Sequence, residues 1–345
     1  MEKNLQRIQF EDDNGNRPQP DRLMREPVDP FFQETLMPIS TIRVAAAVII
    51  RSDGRFLLAS RPAGKPHPGY WEFPGGKIED GESPFTAVVR ELNEELGIRV
   101  TSAHPWITCR HDYSDARVIL NFFRVYAWHG KPQPREGQTL AWQTADNVTV
   151  TPILPANQAI LRALRLPPIM GITQAANDPA AFLQKLDRAL KNGLGLIQVR
   201  EKGLENPEEF ALTVNVRARA AGARVIINGD ERLAKQIDAD GIQLTSAKLT
   251  ELHRRPDFRL VGASCHNAEE LDRAERLGCD YALLSPVLPT ASHPDANPLG
   301  WKRFAELCAD RCIPVYALGG LTVDDLPMAQ RHGAHGVALL RGAWQ

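Results

Sequence analysis

The stretch GGKIEDGESPFTAVVRELNEELGI, Gly75 to Ile98, crowds carboxylates onto a segment that also carries an apolar helical stripe, in a chain whose formal net charge is only -1. Such local acidity needs a local reason. Ser83 can cap a helix and Pro84 suits its first turn, so the spacing predicts a helix from about Pro84 to Leu96. On it Glu91, Glu94 and Glu95 stand at i, i+3 and i+4 and share a face, while Val88, Val89 and Leu92 supply the buried side. Like charges so placed destabilise a bare helix by roughly 0.2–0.5 kcal/mol per close pair. A hard divalent cation compensates: Mg²⁺ or Mn²⁺ takes oxygen ligands and bridges protein carboxylates to substrate phosphates. Arg90 offers a rigid donor fork for orienting a carboxylate, and Gly76 and Gly81 let the preceding loop bend Glu82 toward the same ion. A merely solvated acidic face would leave the glycines and Glu82 unexplained.

At 345 residues the chain is long for one domain, and about 150 residues per domain favours two. A composition 43% hydrophobic and 24% charged is that of a soluble globular protein. Near-neutrality excludes the global basic field that duplex nucleic acid or an anionic membrane would reward, and no apolar run approaches the roughly 20 residues that span a bilayer. Cys109, Cys265, Cys279, Cys308 and Cys312 form an odd set without CxxC spacing, and no secretory leader is read, so the expectation is buried free thiols in a reducing cytoplasm. Cys308 and Cys312 stand one helical turn apart and could meet a metal, but they lack neighbouring ligands.

Residues 1–36 are polar and aperiodic, which predicts a disordered extension; Met37, just before the first strand, is an alternative start. IRVAAAVIIRSDGRFLLASR (Ile42–Arg61) reads as two strands joined by a turn at Gly54. RVILNFFRVYAWHG (Arg117–Gly130) reads as a strand, QTLAWQTADN as a strand and loop, and ANQAILRALR as a short amphipathic helix, giving an α+β unit over residues 37–166. Pro167-Pro168 ends it. From there PIMGIT, LGLIQVR, RVIING, GIQL, RLVGASC, YALLSP, IPVYALGG and GVALLR alternate with helical stretches. Eight such βα units predict a closed α/β TIM barrel over residues 167–345, with a doubly wound open sheet as the alternative.

The spacing of Gly76, Glu82, Arg90, Glu91, Leu92, Glu94, Glu95, Gly97 and Ile98 matches the Nudix box at every defined position, so the segment resembles the Nudix hydrolases. The resemblance implies metal-assisted attack of water on phosphorus in a nucleoside diphosphate linked to another group. It makes Gly75, Glu91, Glu94, Glu95 and Glu136 metal-binding, and Arg90, Glu91 and Glu94 catalytic, with one Glu as the base. Around the box, roughly Ile42 to Leu164, the chain looks like the MutT group of 8-oxo-dGTP diphosphatases, which implies cleansing of the nucleotide pool in support of DNA repair. There Arg61 and Phe73 in SRPAGKPHPGYWEFPGGK stand where that group meets the nucleotide, Glu136 in REGQTLAW where a further metal ligand lies, and Asn157 in LPANQAI where an amide reads the base. An Asn offers both a donor and an acceptor to the O6 and N7–H edge of 8-oxoguanine. The alternatives are a helix N-cap for Asn157, a surface ion pair for Arg61, a plain loop carboxylate for Glu136, and other Nudix substrates such as dinucleoside polyphosphates.

From Ile169 to Trp344, IQVREK, IING, GASCHNAEEL, LLSPVLPTAS, ALGGL and GVALLRG resemble the thiamine-phosphate synthase and TenI family, itself a TIM barrel. Gly319, Gly320 and Gly342 fit a phosphate site at the strand ends, with tight packing turns as the alternative. The departures matter more. Where the synthases carry metal-binding acids this chain has Asn228-Gly229 and Ser246, Ala247 and Lys248; Asp230 comes one place late, and His293 replaces a lysine. TenI-type tautomerases need only proton transfer on a thiazole phosphate, and His266 aligns with their His, although the synthases share it. His266 capping a helix or binding substrate, a barrel that senses a thiazole or thiamine-type phosphate without turnover, and a hydrolase serving thiamine-pathway diphosphates are the competing readings.

Overall fold

The computed structural model describes residues 40–112, 116–175, 178–290 and 297–344; the expected N-terminal extension, Met37 and His293 lie outside them. The run RVAAAVII is apolar at consecutive positions because β1 (Ser40–Ile49) is buried on both faces. Ala45, Ala47 and Ile49 lie in one cluster with Val88, Leu92 and Leu96 of α1 (Pro84–Leu96), while Ala46 and Val48 join Phe56, Phe73 and Phe122 in another. β1 pairs antiparallel with β4 (Gly75–Lys77) and parallel with β6 (Ala116–His129), whose far side pairs antiparallel with β5 (Arg99–Asp112). A second, antiparallel sheet joins β2 (Phe56–Ser60) to β3 (Trp71–Glu72) and β7 (Leu140–Gln143).

α1 has the predicted bounds for the predicted reason: Ser83 Oγ accepts from Thr86 N at 3.1 Å, and Gly97 closes the helix at φ 68°. The Gly54 turn forms, at φ 80°, but β1 and β2 share only the bridge Ile50 to Phe56 and then part into different sheets. β5 escaped the sequence reading. Register shifts around Val100 to Ala103 and between Pro105 and Thr108 interrupt its alternation, which is the signal a strand is read by. A 3-10 turn, Pro155–Asn157, leads into α2 (Gln158–Ala163).

The eight apolar runs are eight parallel strands: β8 (Ile169–Ile172), β9 (Leu196–Val199), β10 (Arg224–Asn228), β11 (Gly241–Leu244), β12 (Leu260–Cys265), β13 (Tyr281–Leu284), β14 (Val315–Leu318) and β15 (Gly336–Leu339). β15 pairs with β8, Val337 opposite Ile169, so the sheet is a closed barrel and not an open one. Helices α3 (Pro179–Lys191), α4 (Pro207–Ala220), α5 (Glu231–Gln236), α6 (Ser246–Glu251), α7 (Ala268–Leu277), α8 (Gly300–Cys308) and α9 (Leu326–Arg331) fill the connections. None of the described helices is long and apolar enough to cross a membrane.

β5 is the edge of its sheet, and the barrel covers it. Thr108 N donates to Arg311 O at 2.8 Å, and the buried Arg124 of β6 donates to His335 O at 2.8 Å and Ala334 O at 2.5 Å. Cys109 of β5 and Cys312 after α8 form a disulfide across this contact, which corrects the expectation of free thiols for these two. A pair 203 residues apart has no spacing signature. Cys265, Cys279 and Cys308 are buried and free, and burial pushes the Cys279 thiol up to about 12.

Candidate functional site

The acidic helix lies against β4, and two glycines make that approach possible. A Cβ on Gly76 would stand 2.2–2.3 Å from the Glu91 carboxylate, and one on Gly75, at φ 147°, would stand 2.1 Å from Ala45 O. Gly75 N donates to Glu95 Oε2 at 3.1 Å. Arg90 then gathers three carboxylates. Nε and Nη2 reach Glu82 at 3.1 and 2.9 Å, and Nη1 reaches Glu91 at 2.8 Å and Glu94 at 3.1 Å.

The shared face is divided between two cations. Glu95 faces Lys65, whose Nζ lies 3.6 Å from Glu95 Oε1 and 2.7 Å from Glu136 Oε2. Glu95 is only 8% exposed, and burial pushes its carboxyl up to about 7 against the opposing pull of Lys65. Glu91 is likewise raised by burial, with Arg90 opposing, whereas the hydrogen bonds from Arg90 hold Glu82 below the usual range.

Among the described residues no three His, Cys, Asp or Glu side chains already converge as a cage for an ion. The donor chemistry nevertheless fits a hard divalent cation. Every candidate ligand is an oxygen, Glu91 and Glu95 are partly desolvated carboxyl groups, and Gly75, Glu95, Glu136, Glu72 and Lys65 line a void of about 10 Å³, the room of one small ion or water.

The other sequence candidates are distributed as follows. Arg61 Nη1 donates to Glu72 at 2.7 Å and Nε to Pro66 O at 2.5 Å, so its ion-pair reading is realised and the arginine braces the loop that carries Lys65. Phe73 spends its ring in the core, 5.8 Å from both Phe56 and Phe122. Asn157 is 5% exposed, lies in the αR region and makes no side-chain capping bond, so the N-cap alternative does not describe it.

A second site opens at the C-terminal ends of the barrel strands, a cavity of about 770 Å³. Arg200 and Lys202 follow β9, Arg341 follows β15, and no described Asp or Glu lines the cavity. The missing acids have structural explanations. Asn228 Oδ1 accepts from Gln198 Nε2 at 2.9 Å, and Asp230 caps α5 by accepting from Leu233 N at 2.9 Å. His266 lines the cavity with Nδ1 2.8 Å from Ser285 O; a carbonyl only accepts, so Nδ1 carries the hydrogen and Nε2 is the ring's acceptor. Its capping alternative is excluded, since Asn267 caps α7. Gly319, Gly320 and Gly342 all line the cavity; the first two are also tight packing positions, their added Cβ atoms falling 2.9 Å from Pro286 Cα and 2.5 Å from Pro289 O. Arg200, Lys202 and Arg341 were not singled out from the sequence, although a cation directly after a barrel strand is a readable signal.

Comparison with known proteins covers both parts. A family model described as thiamine monophosphate synthase matches residues 169–343, and a NUDIX domain model matches residues 41–164. A thiamine-phosphate synthase from Bacillus velezensis is 34% identical over 50% of this chain and 80% of its own length. A CTP pyrophosphohydrolase from Escherichia coli is 41% identical over 35% of this chain and 90% of its own. A solved MutT structure, from work on Aliivibrio salmonicida and Vibrio cholerae, is 35% identical over 36% of this chain and 97% of that one, with a TM-score of 0.32. The chain belongs to the thiamine monophosphate synthase family through its barrel and carries a NUDIX hydrolase domain ahead of it.

Proposed function

We propose that the NUDIX domain splits a nucleoside triphosphate, 8-oxo-dGTP in the first place, into monophosphate and pyrophosphate, while the barrel binds a thiazole or thiamine-type phosphate. One observation carries the hydrolase reading: Arg90 gathers Glu82, Glu91 and Glu94 beside the glycine pair that lets Glu91 and Glu95 meet β4. Glu91, Glu94, Glu95, Glu136 and the Gly75 carbonyl would hold Mg²⁺, with Mn²⁺ as a substitute. When bound, that ion neutralises charge developing on the phosphoryl oxygens and makes water a better nucleophile. The chain's own work is to hold the carboxylates in place through Arg90 and to take the proton of the attacking water on Glu91 or Glu94.

Asn157 supports the oxidised purine. Its buried amide makes no capping bond, which leaves a donor and an acceptor for a base edge. The name of the Escherichia coli relative favours CTP as a second reading. Asn157→Ala should lower kcat/KM for 8-oxo-dGTP about 10- to 100-fold, the worth of a buried hydrogen-bond pair, while changing dGTP turnover little. Faster turnover of CTP or of thiamine diphosphate than of 8-oxo-dGTP by the unmodified protein would rule the oxidised purine out.

For the barrel, three cations and no described acid around the cavity favour a phosphate held by Arg200, Lys202, Arg341 and backbone N–H groups without a divalent ion. That argues against synthase chemistry on a metal-bound pyrophosphate. His266 Nε2 is available for the proton transfer of a thiazole tautomerase. Calorimetry should find thiazole phosphate binding unchanged by EDTA and weakened about tenfold or more in Arg200→Met. Binding abolished by EDTA would contradict this, and binding without isomerisation would identify a sensor.

A further inference from the structure

We propose that Lys65 is a resident counter-ion of the hydrolase site: its ammonium occupies the position between Glu95 and Glu136 that a divalent cation must take, and so tunes how tightly that cation binds. The inference rests on the metal reading above. Lys65 Nζ lies 2.7 Å from Glu136 Oε2 and 3.6 Å from Glu95 Oε1, although Glu136 is 41 residues beyond Glu95 in the chain. The void these groups line, about 10 Å³, has Lys65 in its wall, so a divalent ion entering it would stand directly against the ammonium.

The loop that delivers Lys65 is built for it. Arg61 N donates to Tyr70 O at 2.7 Å and Gly69 N to Arg61 O at 2.9 Å, which closes the loop at its base. The Arg61 guanidinium spans it by bonding Pro66 O, next to Lys65, and Glu72 Oε2 on β3. Lys65 N donates to Pro62 O at 3.3 Å. The backbone under Lys65 is thereby fixed, while its side chain is 44% exposed and has an exit to solvent.

The two cations of the site differ in the way this role requires. Arg90 is a planar fork with contacts to Glu82, Glu91, Glu94 and Lys77 O, so it can keep the helix carboxylates aligned throughout. Lys65 is a point charge on a flexible stem whose ammonium meets Glu136 and Glu95, the carboxylates on the side away from Arg90. With both carboxylates ionised, one ammonium between them leaves one net negative charge, which draws in a divalent ion; once that ion is seated, the ammonium is repelled. Lys65 is thus a positioning residue that spares Glu95 and Glu136 their mutual repulsion and yields to the metal.

The test is a Mn²⁺ titration of the full chain, without nucleotide, followed by the electron paramagnetic resonance signal of free Mn²⁺. Lys65→Met should bind Mn²⁺ about fivefold more tightly than the unmodified protein, the worth of one partly exposed ion pair. Lys65→Arg should stay near the unmodified value, and in a Glu136→Gln background the effect of Lys65→Met should shrink. Equal or weaker binding by Lys65→Met, with an unchanged circular dichroism spectrum, would overturn the proposal while leaving the metal reading intact. No Mn²⁺ uptake by the unmodified protein would overturn the metal reading and this inference with it.

Discussion

Glu94→Gln should lower the hydrolytic kcat by about 10²–10⁴-fold, the usual contribution of a positioned acid–base group, and leave the fold unchanged. The substitution keeps the shape of the side chain and removes its charge. Its effect on stability should be small, because the Glu94 side chain is 52% exposed and its one bond, to Arg90 Nη1 at 3.1 Å, is shared with the shorter contact to Glu91. The measurement is steady-state turnover of 8-oxo-dGTP with Mg²⁺, paired with thermal unfolding. A variant that keeps more than a tenth of the activity would remove Glu94 from the machinery. Loss of activity together with a collapse of the melting transition would make it a structural residue.

Arg124→Met should destabilise the contact between the sheets and the barrel by about 2–4 kcal/mol. Arg124 is 3% exposed, and no described carboxylate pairs with it; its guanidinium bonds two backbone carbonyls, Ala334 O and His335 O, and lies 5.0 Å from the centre of the Trp106 ring. Methionine fills similar volume but leaves both carbonyls unpaired, a cost only partly offset by no longer burying a charge. His335 supplies no replacement donor. His335 Nε2 is already committed to Leu166 O at 2.9 Å, and burial together with Arg124 pushes the ring down to about 3, which keeps it neutral. Calorimetric unfolding should show the main transition moving down or splitting in two. An unshifted single transition would mean that the two carbonyls find other partners and that Arg124 is not what ties the barrel to the sheets.

Local chemistry was legible in the sequence, and distant pairing was not. α1 could be placed from about Pro84 to Leu96 because Ser83 and Pro84 are short-range signals, and the eight barrel strands because each is a continuous apolar run buried on both faces. β5 was missed because three register shifts break its alternation, and the Cys109–Cys312 pair because β5 meets the loop after α8 only once both parts are folded. Glu82, Glu91, Glu94 and Glu95 were named from spacing and Glu136 from the MutT resemblance, but their division between Arg90 and Lys65 follows from where the loop after β2 lands. Arg61 carried two readings, a nucleotide contact and an ion pair, and the structure shows the ion pair with Glu72 and a bond to Pro66 O that holds the loop.

The central claim is that the α1 carboxylates direct water to phosphorus with a divalent ion. It is tested most directly by a phosphorus-31 NMR time course of 8-oxo-dGTP with the intact protein. The account predicts monophosphate and pyrophosphate in equal amounts with Mg²⁺, neither in EDTA, and both formed at least about 100-fold more slowly with Glu94→Gln. Orthophosphate and nucleoside diphosphate as products, or undiminished turnover in EDTA, would contradict it.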